Sequence, residues 1–98
     1  MRVRIDPKQN EVRALKWVTD WRLKRVLDVG CGDGRLTVRL ARLGALVHAI
    51  DPDGKLIRKA RESLPKHLAS RVRYGVGKAE DLRLPDESFD VVVFSWTL

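Results

Sequence analysis

Val26-Leu27-Asp28-Val29-Gly30-Cys31-Gly32-Asp33-Gly34 is a short apolar run that breaks into three alternate glycines. The run is bounded by Lys24 and Arg25 on one side and by glycine on the other, and it is rich in β-branched residues, which predicts a buried parallel strand. The glycines turn the chain. Behind them Leu36, Leu40 and Leu43 recur at i, i+4 and i+7, so the turn opens into an amphipathic helix. Strand, glycine loop and helix in that order put the loop at the carboxyl end of a strand in an open α/β sheet. Ligands bind there, and the backbone N–H groups at the helix start face them.

Spacing and charge narrow the ligand. A dinucleotide fingerprint needs G-x-G-x-x-G, whereas these glycines fall at 30, 32 and 34 and the position wanting the last glycine is Arg35. Carboxylates also flank the loop at Asp28 and Asp33. Two negative charges about 4 Å apart repel by roughly 4 kcal/mol at an effective dielectric near 20, so a pyrophosphate is poorly served beside Asp28. An ammonium group is well served. S-adenosylmethionine offers an ammonium, a sulfonium and a single carboxylate without phosphate, and suits a loop with both acidic side chains and free backbone donors.

The run VLDVGCGDG resembles the first motif of class I S-adenosylmethionine-dependent methyltransferases. Asp51 closes the next apolar run 21 residues after Gly30, close to the interval of about 20 at which an acidic residue reaches ribose hydroxyls from the neighbouring strand. Ala79-Glu80-Asp81-Leu82, followed by Phe89-Asp90-Val91-Val92-Val93, resembles the family's adenine loop and fourth strand. The resemblance runs from Val26 to the last residue. It implies cofactor contacts from Asp28, which orients the ligand ammonium, and from Gly30, Cys31, Gly32 and Gly34, whose backbone cradles the methionine part. It further implies contacts from Asp51 and Pro52 at the ribose, from Ala79, Glu80 and Asp81 at the adenine, and from Ser95 after the fourth strand. The family often has an acidic residue where Lys78 stands, and lysine cannot accept a hydrogen bond from the adenine amino group. No metal ligand set and no catalytic base is identified.

A chain of 98 residues suffices for one domain, and 44% hydrophobic with 34% charged residues is a globular composition. No apolar stretch reaches the 18 or more residues of a membrane span, and the start lacks the apolar segment of a signal peptide, so the expected location is cytoplasmic. The single cysteine, Cys31, has no internal disulfide partner and reads as a small residue tolerated between glycines. The net charge of +7 is concentrated in residues 1–50, with 11 Lys/Arg against 5 Asp/Glu. Arg35, Arg39 and Arg42 form a stripe on the helix after the loop. Such a stripe is ordinarily a solvated face, and otherwise a contact for a polyanion such as RNA.

Taken in order, residues 1–9 read as an extended arm, and Asn10 caps a helix that carries Trp17 and Trp21 as neighbours. Residues 1–22 thus form an arm and helix, and 23–98 a cofactor-binding core, of a single partial domain. Gly44 is placed to end the second helix in a left-handed conformation. Leu46 to Ile50 is a strand covered on both faces, with His48 at the core or its edge. Pro52 stops it, and Asp53 caps the next helix, whose apolar face is Leu56, Ile57, Ala60 and Leu64, leaving Asp51 for ribose. Residues 71–76 alternate partly and predict a more exposed edge strand. Val91 to Phe94 is apolar throughout, as an interior fourth strand requires.

The expected fold is therefore α/β, Rossmann-like, a methyltransferase fold truncated to a four-stranded parallel sheet of order 3-2-1-4 with helices on both faces. The expected function is methyl transfer from S-adenosylmethionine to an acceptor, a small molecule in preference to RNA. An RNA-directed module and a non-catalytic binding fragment are the alternatives. A full class I sheet has seven strands, so this chain reads as the cofactor-binding part, without methyl transfer on its own. Its fourth strand is expected to expose an unpaired edge that invites self-association.

Overall fold

The structure, a computed structural model, describes residues 2–4, 19–78 and 88–94. Its centre is a parallel sheet of five strands: β1 (Arg2–Arg4), β2 (Arg25–Val29), β3 (Leu46–Asp51), β4 (Val72–Val76) and β5 (Val91–Phe94), in the order β1-β5-β2-β3-β4. The expected order 3-2-1-4 is the run β4-β3-β2-β5 within it. The fifth strand was not expected. Residues 2–4, expected within an extended arm, pair in register with β5, Val3 opposite Val93, and cover the edge expected to be open. A buried strand edge leaves N–H and C=O groups that need partners, and the nearest extended backbone supplies them.

Two helices follow the apolar periodicities of the sequence: α1 (Arg35–Arg42) and α2 (Gly54–Ser63). Each is a crossover from one strand to the next in the same direction across the sheet, β2 to β3 and β3 to β4. Right-handed crossovers therefore place both on one face. There Leu36 and Leu40 of α1 and Ile57 and Ala60 of α2 bury against Val26, Val47, Ala49, Val91 and Val93. The opposite face buries Leu27, Val29 and Ile50, with Phe89, Val92 and Phe94 packed beside them. The first helix expected from the sequence falls largely on residues outside those described. Trp21 lies in a non-helical segment and is buried in the α1/α2 core.

The helix ends follow simple chemistry. Gly44 takes φ 98° after α1, its N–H donating to Ala41 O at 3.0 Å and the N–H of Ala45 to Leu40 O at 3.1 Å, which closes the helix on its last carbonyls. The Asp53 carboxylate caps α2 by accepting from the N–H groups of Lys55 (2.9 Å) and Leu56 (3.4 Å). Pro65 follows α2 and opens a 3-10 turn, Lys66–Arg71, that seats Leu68 in the interior and carries an exposed His67. His48 is half-buried, its ring 6.1 Å from that of Phe89, and burial followed by the charge of Arg73 holds its pKa below the usual value. Among the described residues no helix is long and apolar enough to cross a membrane.

Candidate functional site

The glycine loop leaves β2 at Gly30 and enters α1 after Gly34. All three of its glycines have positive φ (76°, 58° and 87°), a conformation that side-chain-bearing residues adopt only at a cost. The loop is tied to the next strand: Gly30 and Cys31 N–H both donate to Ile50 O, at 2.9 and 3.0 Å, and Gly34 N–H closes a turn on Cys31 O at 3.0 Å. Gly34 is the N-cap of α1 and contributes no side chain, and the first turn holds no acidic residue. Several N–H groups at this helix start thus lack an intrahelical partner, the arrangement that receives an anionic group.

Asp51 ends β3 beside the loop. One carboxylate oxygen accepts from Gly32 N–H at 3.0 Å and the other from Asp53 N–H at 2.8 Å. The residue is 8% exposed. Asp51 is thus engaged with backbone rather than wholly free for a ligand. Each oxygen accepts one amide and keeps a further lone pair, so the carboxylate can hold the loop and a hydroxyl together. Pro52 is exposed next to it.

Asp28 lies deeper. It is wholly buried in β2, and one of its oxygens accepts from the Thr37 hydroxyl at 2.6 Å, across the underside of the loop. The short distance fits a charge-assisted bond. Thr37 had no sequence signal for this contact, since a threonine inside a helix reads as neutral filler. Cys31 is 7% exposed, with its thiol pKa raised by burial and then by the carboxylates of Asp28 and Asp51. At neutral pH it is a protonated, weakly nucleophilic thiol. The structure therefore brings together Asp28, Gly30, Cys31, Gly32, Gly34, Asp51 and Pro52. Ala79, Glu80, Asp81 and Ser95 lie outside the described residues. Among the described residues no group of three or more His, Cys, Asp or Glu is placed to hold a metal ion.

The arginine stripe of α1 is not isolated. Arg35, Arg39 and Arg42 line a groove of about 390 Å³ together with Lys59 and Ser63 of α2, and Asp33 and Gly34 close its end at the loop.

The sequence profile of a methyltransferase domain matches residues 26–98, from the start of β2 to the end of the chain. The chain belongs to this methyltransferase family. Similar proteins include the magnesium-protoporphyrin O-methyltransferase of Rhodobacter capsulatus, 46% identical over 70% of this chain and 30% of that protein. Another is protein arginine N-methyltransferase 1 of Schizosaccharomyces pombe, 40% identical over 78% of this chain and 23% of that protein. Among solved structures, the magnesium protoporphyrin IX methyltransferase of Synechocystis PCC 6803 with bound S-adenosylhomocysteine superposes with a TM-score of 0.72, at 27% identity over 86% of this chain and 38% of that one. The chain thus spans less than a third of the two curated relatives' length.

The glycine loop and the acidic residue ending the next strand, which the resemblance in the sequence assigns to one ligand, are joined here by a hydrogen bond from Gly32 N–H to Asp51. The signal for that pairing was in the sequence as spacing alone.

Proposed function

We propose that this chain is the cofactor-binding part of an S-adenosylmethionine-dependent methyltransferase whose acceptor is a small molecule. The observation that carries the reading is the Gly32 to Asp51 bond, which sets loop donors and a carboxylate acceptor side by side at the carboxyl ends of adjacent parallel strands. The cofactor, when bound, supplies a methyl group already activated on sulfonium. What remains for the protein is binding and alignment, which can supply about 7–11 kcal/mol of a bimolecular barrier. In this reading the N–H groups at the start of α1 hold the carboxylate of the methionine part, and Asp51 holds ribose hydroxyls. Asp28 fixes the loop from below through Thr37 and biases the site towards an ammonium group. The buried, protonated Cys31 thiol is kept from competing with the acceptor as a nucleophile. Support for a small-molecule acceptor comes from the relative that acts on magnesium-protoporphyrin.

The groove of Arg35, Arg39, Arg42 and Lys59 beside Gly34 favours a second reading, methylation of RNA. Salt separates the two. An RNA-directed module binds RNA with an affinity that falls steeply with salt, and a small-molecule enzyme shows no such dependence.

The cofactor reading is tested by photocrosslinking radiolabelled S-adenosylmethionine to the chain. Labelling that is abolished by excess S-adenosylhomocysteine, but not by NAD, and is weakened in Asp51→Ala supports it. Labelling indifferent to S-adenosylhomocysteine refutes it.

A further inference from the structure

Tyr74 stands in the middle of the edge strand β4, yet it is only 7% exposed, and its hydroxyl is buried with no hydrogen-bond partner among the described residues. Burial, with the neighbouring Cys31 and Asp28, pushes its pKa up to about 12, and the nearby Thr37 hydroxyl offsets a little of that rise without reaching hydrogen-bond geometry. The phenol is therefore neutral. Burying a hydroxyl without a partner is unfavourable, and phenylalanine would fill the same space without that cost.

The position of the hydroxyl is specific. A methyl group on Gly34 would overlap it and would stand 3.0 Å from Tyr74 Cζ and 3.3 Å from Ala60 Cβ. The phenol thus bears on the backbone of the residue at which the loop becomes helix. Gly34 is required twice, once by its φ of 87° and once by this contact. The neighbouring Thr37 to Asp28 bond pins the same turn to β2. The first turn of α1 is held between a tether from β2 and a prop from β4.

We propose that Tyr74 is a positioning residue for the cofactor loop: its phenol is the floor under Gly34 and sets where the first N–H groups of α1 stand relative to Asp51. The ligand side of this rests on the cofactor reading; the contact with Gly34 does not. Displacements of about 1 Å in groups that align a ligand are enough to cost an enzyme much of its rate. Loss of the phenol oxygen lets Gly34 settle towards the sheet.

The test uses the full chain and Tyr74→Phe, with three readouts: thermal melting, backbone amide chemical shifts without ligand, and calorimetric titration with S-adenosylhomocysteine. The expected result is a melting temperature equal to or above that of the parent, displaced amide signals for Gly32, Gly34 and Arg35, and affinity weakened at least fivefold. A role in packing alone would lower melting temperature and affinity together, and that outcome overturns the proposal. Unmoved loop amides, or affinity within twofold of the parent, also overturn it. If the parent itself fails to bind S-adenosylhomocysteine, the cofactor reading fails, while the loop amides still decide whether Tyr74 positions Gly34.

Discussion

Asp28 and Asp51 carry the same charge and sit on neighbouring strands, but their surroundings give them different work. Thr37→Val is isosteric and strips a hydrogen bond from a wholly buried carboxylate, so it should cost about 1.5–3 kcal/mol, read as a lower urea midpoint. Cys31, buried and with a raised pKa, should resist iodoacetamide at pH 8 in the folded chain and react promptly in denaturant, as mass spectrometry would show. Asp90 faces water, yet it accepts from Arg25 N–H at 2.8 Å and then from the Arg25 side chain, which lowers its pKa. Asp20 is held down to about 2 by the Arg22 side chain. A carboxylate with a depressed folded pKa stabilises above its unfolded pKa, and that contribution disappears as pH falls through the folded value. Stability should accordingly begin to fall below about pH 6.5, where His48 takes up its proton more readily in the unfolded chain, and fall further towards pH 2, with a smaller decline on that acid limb in Asp90→Asn. The position of Asp51 was legible because an acidic residue closing an apolar run has a fixed place in a parallel sheet. The roles of Thr37 and Tyr74 were not, because each depends on a contact between elements that local pattern does not encode.

Glycine and proline made the described helices legible, since they mark ends by backbone geometry rather than by tertiary contact. Gly44→Ala should destabilise the chain by about 1–2 kcal/mol for the left-handed conformation alone, and by more because the new methyl would lie 3.1 Å from Arg22 Cα. A guanidinium melt would measure it. β1 was illegible for the opposite reason. Arg2-Val3-Arg4 is too short to show a period, and it is a strand only because the edge of β5 is there to receive it. Deleting residues 1–4 should uncover that edge and raise the apparent mass in light scattering at high concentration, whereas the parent stays monomeric; no change on deletion would mean that β1 protects nothing.

At the scale of the molecule, the sheet order gathers what the sequence spreads over dozens of residues. β2 and β3 lie side by side, so the glycine loop and Asp51 meet, and the proposed S-adenosylmethionine site rests on that meeting point, on the shift of glycine spacing away from G-x-G-x-x-G and on Asp28. The measurement that bears on this most directly is calorimetric titration of the parent and of Asp51→Ala with S-adenosylhomocysteine and with NAD. The parent should bind S-adenosylhomocysteine and not NAD, and Asp51→Ala should lose about 1.5–3 kcal/mol of that binding, as for a hydrogen bond to a charged group, while keeping its fold. Tighter binding of NAD, or equal binding of S-adenosylhomocysteine by both proteins, would contradict the proposed site.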